Sequence, residues 1–461
     1  MRIILLIDFG STFTKVTAVD VNAREVVGGA ASYTTVETDV SEGLDNALTE
    51  LKRKTGIVSF EERLACSSAA GGLRMAASGL VPALTAEAAR VASLGAGAKV
   101  IKVYSYQLTD EDIDEIARIK PDIFLLTGGT DGGNRSCILH NAQMLAGCAS
   151  DFPILVAGNR NCAAECEKIL AGRDVTRCEN VMPQLGIINV EPVQNHIREL
   201  FLRQIIHAKG LSREEALIDG ILMPTPSAML RAMELLAKGA DKQHGLGELI
   251  AVDLGGATTD VYSMASGAPN RSNVVVKGLP EPWAKRTVEG DIGMRYGAAG
   301  VLSAVGTERL ARLSGLDPAV TTALVERLEK NPALMPDTQA QSALDFALAA
   351  AAIEIAVARH AGTIEEAYTP TGRVWMQTGK DLTRVRTFIA TGGAIIHNAD
   401  VQKIVSQALY DPAAPESLRP ETADILVDHR YILSAMGLLG EEFPEVALYI
   451  MKKELGQDNS L

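Results

Sequence analysis

The sequence predicts an α/β protein built from two copies of one strand-and-glycine unit. Three observations predict it. An apolar run enters a glycine-bearing hairpin at Ile250 to Met264, and the same plan stands at Ile3 to Asp20. Between Lys99 and Val181, strand-like and helix-like segments alternate at the spacing of βαβ units, which implies a parallel sheet.

In the later hairpin, Leu249 to Val252 reads as a buried strand with Asp253 at its end. Gly255 and Gly256 follow, then Thr258, Thr259, Asp260 and a second strand. Glycines let backbone N–H groups crowd toward an anion, and hydroxyls add donors. An aspartate at the mouth of such a turn suits hydrated Mg²⁺, a hard cation that keeps its waters. A surface turn of the Asp-x-Gly-Gly kind accounts for the same residues. The earlier copy aligns Asp8 with Asp253, Gly10 with Gly255 and Thr14 with Thr259, an offset of 245 residues from 8 to 253. That period is too long for a solenoid and suits a duplicated domain. Two such hairpins facing one another would hold one phosphate chain.

At 461 residues the chain is long enough for two or three domains, each with its own core. A hydrophobic share of 47% and a charged share of 22% are those of a folded globular protein, not a disordered one. A net charge of −13 and a pI near 5.2 argue against a nucleic-acid surface, which needs a basic face. The apolar run Ile3 to Ile7 is shorter than a signal-peptide core. The Ala-rich stretch Ala343 to Ala361 carries Asp345, Glu354 and Arg359, so it reads as a buried helix and not a membrane span. The six cysteines, Cys66, Cys137, Cys148, Cys162, Cys166 and Cys178, are irregularly spaced, as reduced cytoplasmic thiols are. Cys162 and Cys166 stand one helical turn apart. Small core residues are weighed above a metal or redox pair there.

Along the first copy, Glu25 to Tyr33 reads as a third strand. Val40 to Thr55 reads as a helix with Leu44, Leu48 and Leu51 on one stripe. Leu64 to Ser68 is a short strand leading into Ala69, Gly71 and Gly72, and Met75 to Leu80 is another strand. Thr109 caps a helix whose first turn holds Asp110, Glu111 and Asp112, as the helix dipole prefers. The strand Ile123 to Leu126 ends in the glycine-rich turn Thr127 to Asn134, which lacks the dinucleotide G-x-G-x-x-G order. Val193 to Ala208 is helical, Ser227 caps a helix through Leu236, and Gly239 to Gly247 is a linker. In the second copy, Val274 to Lys277 is the expected counterpart of Glu25 to Tyr33, and Thr287 caps a helix through Lys285 to Ala298. Arg386 to Ala390 is a strand that ends in Thr391, Gly392, Gly393 and Ala394, followed by a helix. Unpartnered N–H groups at such a helix start suit an adenosine or a phosphate.

Taken in order, Asp8 to Lys15, Asp253 to Asp260 and Thr391 to Ala394 resemble the two phosphate motifs and the adenosine motif of the actin, sugar kinase and heat-shock ATPase superfamily. The segments RTVEGDIGMR (Arg286 to Arg295) and NVMPQLGIINVEPVQN (Asn180 to Asn195) are similar to a narrower family within it. This is the methylaspartate (glutamate) mutase accessory family, of MutL or GlmL type, unrelated to mismatch repair. The resemblance spans almost the whole chain. It implies duplicated actin-like (ribonuclease H-like) lobes around a nucleotide cleft, with an extra α/β segment in the first half. The implied boundaries are 1–98 for the first lobe, with 430–461 packing back on it, then 99–245 for the inserted segment and 246–430 for the second lobe.

The resemblance also implies an ATP-using chaperone, or reactivating factor, that helps an adenosylcobalamin-dependent mutase exchange inactivated cobalamin for fresh cofactor. Asp8 and Asp253 would hold Mg²⁺ through water. Gly10, Ser11, Thr12 and Lys15 would contact the phosphates, as would Gly255, Gly256, Thr258 and Thr259. Glu289 and Asp291 would touch the ribose, and Gly392 and Gly393 would border the adenine. Asp260 and Asp131 are the candidates for orienting the attacking water. A small-molecule kinase or an actin-like scaffold on the same fold are the alternatives. An iron–sulfur dehydratase activator is disfavoured, because no cysteine follows Cys178. The segment from Lys99 to Val181 exceeds what phosphate binding needs and is expected to face the partner. A monomer and a homodimer both remain open.

Overall fold

Strand β1 (Ile3–Phe9) is buried at all seven positions, so it needs a partner on each edge. The computed structural model describes residues 2–10, 13–33, 40–68, 73–208, 221–241, 243–370, 372–398 and 400–457. Ser11, Thr12, Ala69, Gly71 and Gly72, named above, lie outside the described residues. On one edge β1 pairs antiparallel with β2 (Phe13–Asp20), which pairs antiparallel with β3 (Glu25–Tyr33). On the other edge lies the parallel strand β4 (Glu62–Ser67), followed by the parallel β10 (Ile221–Pro224). Helix Val40–Thr55 packs Leu44 and Leu51 into this core, as its leucine stripe predicts.

A second sheet belongs to the same compact unit, which comprises Met1–Ala232, Gly278–Pro280 and Ser434–Ile450. It contains β5 (Arg74–Gly79), β6 (Lys99–Ser105), β7 (Ile123–Leu126), β8 (Ile154–Val156) and β9 (Val175–Arg177). The order is β6-β5-β7-β8-β9 with every pairing parallel. The predicted parallel sheet is therefore present, and its founding strand is Arg74–Gly79. Helix Asp110–Ile119 carries the full capping box between Thr109 and Asp112.

The second unit comprises Met233–Lys277, Glu281–Leu433 and Met451–Leu461. The predicted linker folds back as a small hairpin of β11 (Gly239–Ala240) and β12 (Gln243–His244). The main sheet pairs β13 (Leu249–Leu254) antiparallel with β14 (Thr259–Met264). A separate three-stranded sheet is formed by β15 (Val274–Lys277), β18 (Gly372–Thr378) and β17 (Thr363–Thr369). The main sheet continues through β16 (Ala284–Glu289), which pairs antiparallel with β14. The parallel strands β19 (Thr387–Thr391) and β20 (Asp424–Val427) complete it on the β13 side. Its order, β16-β14-β13-β19-β20, matches β3-β2-β1-β4-β10 strand for strand and direction for direction. The duplicated lobes are thus real at the level of the sheets.

Two local expectations are corrected here. The counterpart of Glu25–Tyr33 is Ala284–Glu289 and not Val274–Lys277, whose Val275 and Val276 are 51% and 50% exposed. Thr287 caps no helix, because it lies inside that strand, paired with Val261. Tertiary pairing overrides the capping pattern, since β14 offers an open edge and β-branched Thr287 and Val288 suit it. A third difference is smaller. The helix Thr225–Lys238 begins two residues before Ser227, whose hydroxyl donates to the Ala96 carbonyl at 3.0 Å.

Helix Gln339–His360 is long and apolar enough, by length and composition, to cross a membrane. Here Leu344, Leu348, Ile353 and Val357 sit in the core of the second unit, against Ile250, Val252 and Phe388. Alanine dominates the helix because its faces are closely packed by strands and neighbouring helices. All six cysteines are free and buried.

Candidate functional site

In the second unit, β13 delivers Asp253 and the turn follows at once. The Gly255 N–H donates to the Thr258 carbonyl at 2.9 Å and closes a four-residue turn. A Cβ on Gly255 would stand 3.0 Å from that carbonyl, so glycine keeps the turn tight. The loop after β16 braces the tip: Met294 N–H donates to Gly255 O at 3.0 Å and Arg295 N–H to Gly256 O at 2.7 Å. The Arg295 guanidinium is in turn fixed by both oxygens of Asp345, at 3.0 and 2.8 Å. Gly255, Gly256 and Thr258 are half-buried at the surface of this unit. Thr259 is fully buried and its hydroxyl donates to Ile292 O at 2.9 Å, so it supports the turn from beneath.

In the first unit the same geometry recurs. The Gly10 N–H donates to the Phe13 carbonyl at 3.1 Å, and a Cβ on Gly10 would lie 2.6 Å from that oxygen. Thr14 is fully buried, as Thr259 is. Asp8 faces Lys15 across its hairpin, and Asp253 faces Asp260 across the other. The like-charged second pair is offset by Arg286, whose Nε donates to Asp260 Oδ1 at 2.8 Å. Asp131 lies elsewhere, in the turn after β7, where it accepts from Asn180 Nδ2 at 2.9 Å and from the Arg160 N–H at 3.0 Å.

Each aspartate is held by side chains that sequence inspection did not single out. Asp8 is 5% exposed and accepts from Thr225 Oγ1 at 2.7 Å and Ser434 Oγ at 3.2 Å. Cys66 Sγ also donates to it at 3.5 Å. Burial, then the Asp8 charge, pushes the Cys66 thiol up, so it stays protonated as a donor. Asp253, in its own unit, accepts from the Tyr431 phenol at 3.1 Å on Oδ1 and 3.4 Å on Oδ2. Tyr431 and Ser434 stand three residues apart around the start of the helix Leu433–Leu439, and that spacing is the local signal they carry.

The Thr391 turn lies at the end of β19, beside β13. Gly392 has φ +113, and a Cβ there would lie 2.3 Å from Leu254 O, so the turn is pressed against the strand that carries Asp253. A Cβ on Gly393 would meet nothing within 4 Å. The helix it opens is short, Gly393–Ile396. Thr391 Oγ1 donates to Asp428 Oδ2 at 3.2 Å. Glu289, at the end of β16, is paired with Arg359, and Asp291 is exposed in the loop that follows.

Beneath this sheet lies a buried polar cluster. Lys380 is fully buried and donates to Trp283 O at 2.7 Å and to Ser263 O and Oγ at 3.3 Å. Burial, then the nearby Lys285 charge, pulls its ammonium down to about 7. Burial, then Lys285 and Lys380, holds His360 well below the usual imidazole range. His360 is pinned between Thr287 Oγ1 at 2.7 Å and Ser263 Oγ at 2.8 Å.

A family model described as MutL protein matches residues 4–455. Protein MutL from Clostridium tetanomorphum is 47% identical over 455 residues, which is 98% of this chain and 98% of that one. Among solved structures, Plasmodium falciparum glycerol kinase with ADP is similar at 11% identity and TM-score 0.35, covering 100% of this chain and 93% of that one. The activator of the 2-hydroxyisocaproyl-CoA dehydratase from Clostridium difficile, with bound ADPNP, is similar at 10% identity and TM-score 0.33, covering 100% of both chains.

Proposed function

Because this chain belongs to the MutL protein family, we propose that it is an ATP-binding and ATP-hydrolysing accessory protein. Its client would be an adenosylcobalamin-dependent mutase, glutamate mutase or a related aminomutase, which it reactivates or assembles in the cytoplasm. The observation that carries the nucleotide reading is the repeated hairpin. Asp8 with Gly10 and Asp253 with Gly255 share one register and one N–H-to-carbonyl turn, each at the end of a buried strand. Gly255, Gly256 and Thr258, with Gly10 and Lys15, are the proposed phosphate contacts, and Ser11 and Thr12 carry over from the family motif. Gly392 and Gly393 are proposed to border the adenine, and Glu289 and Asp291 the ribose.

Asp8 and Asp253 fit a hydrated Mg²⁺. Both present hard carboxylate oxygens already ordered by neutral hydroxyl donors. Mg²⁺ keeps several waters and takes one or two carboxylates plus phosphate oxygens, and each aspartate is of the kind it takes. When bound, the ion would neutralise charge on the phosphates. The chain's own residues bind, orient and hold the phosphate chain. Asp260 is retained as a candidate for orienting water, constrained by its bond to Arg286.

The testing experiment is ATP turnover by the purified chain, alone and with glutamate mutase or an aminomutase. The expected result is turnover that responds to the mutase, together with recovery of activity from cobalamin-inactivated mutase. Phosphorylation of a metabolite with no binding to any cobalamin mutase would replace this reading by the kinase alternative. Charge reversal on the Lys99 to Val181 surface tests the proposal that it meets the mutase. Unchanged binding and reactivation would reject it.

A further inference from the structure

The three-stranded sheet of the second unit ends on an edge that the described residues leave open. There β15 pairs with β18 alone, in parallel, with Val274 beside Trp375 and Val276 beside Gln377. The Trp375 N–H donates to Asn273 O at 3.0 Å. Backbone N–H and C=O groups alternate between the two edges of a strand, so Asn273, Val275 and Lys277 turn theirs toward β18. Those of Val274 and Val276 face away from the sheet, where no described strand pairs with them. An unpaired row of this kind is a template for another strand. Val275 and Val276 are 51% and 50% exposed, and neighbours along a strand point to opposite faces, so β15 is open on both. Its three consecutive valines favour the extended backbone that such pairing needs.

We infer that β15 is a docking edge for an extended segment of a partner protein, apolar at alternate positions and carrying carboxylates between them. Main-chain bonds would supply the affinity and charge the selection. From Gly267 to Pro280 the chain carries Arg271 and Lys277 and no acidic residue, although its net charge is −13. Neither cation has a carboxylate partner among the described residues. Arg271 lies over the Trp375 ring, 5.7 Å from its centroid, and Arg373 lies over the same ring at 5.0 Å. An incoming strand thus meets a cation near each end of β15 and an aromatic ring beside Val274. A second copy of this chain fits less well. Two β15 strands set edge to edge would gather Arg271 and Lys277 of both copies with no carboxylate among them. The opposite edge of the sheet, β17, is acidic, but its Glu366 is engaged within the chain by Arg373 at 3.1 Å and by the Tyr368 hydroxyl at 2.7 Å. Its Ile364 N–H already donates to Glu416 O at 2.8 Å. The inference is independent of the nucleotide reading, and this edge lies outside the Lys99 to Val181 surface.

The test is calorimetric titration of the full chain with a short peptide of alternating valine and glutamate, blocked at both ends. The same peptide N-methylated along one edge and a valine–lysine peptide are titrated beside it, and the variants are Val276→Pro and Lys277→Glu. Val276→Pro removes an outward N–H and no bond to β18, and edge strands accept proline. The acidic peptide should bind the native chain, less tightly as salt is added. N-methylation or Val276→Pro should weaken it by about 5- to 10-fold, the size of one hydrogen bond. The lysine peptide should bind about 5-fold more weakly than the acidic one, and Lys277→Glu should narrow that difference. Thermal melts identify a variant that has lost its fold, and the N-methylated peptide tests the same bonds with the chain unaltered. Failure of the acidic peptide to bind overturns the inference. So does equal binding of the N-methylated peptide, because the contact would then not be a strand pairing. Equal binding of the lysine peptide overturns the acidic partner. Sedimentation velocity closes the test, since self-association of the native chain that Val276→Pro abolishes would give the edge to a second copy and overturn the proposal.

Discussion

Arg286 holds Asp260 through two nitrogens on one oxygen, Nε at 2.8 Å and Nη2 at 2.6 Å, with side chains 3% and 13% exposed. The pair resolves a conflict built into the second hairpin, where Asp260 stands opposite Asp253. The first hairpin avoids that conflict by placing Lys15 opposite Asp8. Arg286 reaches Asp260 from the third strand of the sheet, so the ion pair also fastens β16 to β14.

Removing one partner of a buried pair leaves the other charge unpaired. Arg286→Met is expected to destabilise the chain by about 3 kcal/mol, read as a lower denaturant midpoint at constant slope. Adding Asp260→Asn should recover part of that loss. A double variant no more stable than Arg286→Met would mean that the guanidinium serves packing and not charge balance.

Lys380 predicts a dependence on pH. Its folded ammonium titrates near 7, against 10.5 in the unfolded chain. Between those values the unfolded state holds the proton and the folded state does not, so stability rises with pH across that window. The slope is at most about 1.4 kcal/mol per pH unit. Below 7 both states are charged and the penalty of burying the ammonium is complete. His360, depressed below 6.5, adds a loss of stability as pH falls under that value, because only the unfolded chain takes up its proton. Melting curves of the native chain and Lys380→Met from pH 7 to 10 should diverge in slope, the native one rising more steeply. Parallel slopes would reject a neutral buried lysine.

Much of this architecture is legible in the residues because it is local. Both hairpins, the parallel sheet and the Thr391 turn follow from apolar runs broken by glycine, patterns that a short window contains. Ala284–Glu289 is not legible as a strand. Its Lys285 and Arg286 look like surface residues, and only the folded chain brings Glu281 and Asp260 against them. Tyr431 and Ser434 escape for a related reason. Their partners lie 178 and 426 residues away, beyond any periodicity or spacing argument.

Adjacent glycines in the Thr391 turn should respond oppositely to the same change. At Gly392, φ +113 and a Cβ position 2.3 Å from Leu254 O leave no room for alanine. Gly392→Ala is expected to cost about 2 kcal/mol or more, by strain and by pushing the turn off β13. Gly393 opens a helix, and its Cβ position meets nothing within 4 Å. Gly393→Ala should stay within about 0.5 kcal/mol of the native chain, or gain slightly from a stiffer unfolded state. Chemical denaturation of both variants decides it, and equal losses would contradict the close approach at Leu254.

Thr258 and Thr259 separate binding from stability in the same way. The Thr259 hydroxyl is buried and donates to Ile292 O at 2.9 Å, so Thr259→Val strands a carbonyl. The expected cost is about 1–2 kcal/mol, seen in denaturation without any nucleotide. Thr258 is half-buried on the turn itself, and its carbonyl, which any residue supplies, closes that turn. Thr258→Ala should therefore leave the denaturation midpoint within about 0.5 kcal/mol of native. On the nucleotide reading it should also weaken Mg-ATP binding by several-fold, measured by titration. A Thr258→Ala chain with native nucleotide affinity would remove that hydroxyl from the phosphate contacts. A Thr259→Val chain of native stability would show that the Ile292 carbonyl finds another donor.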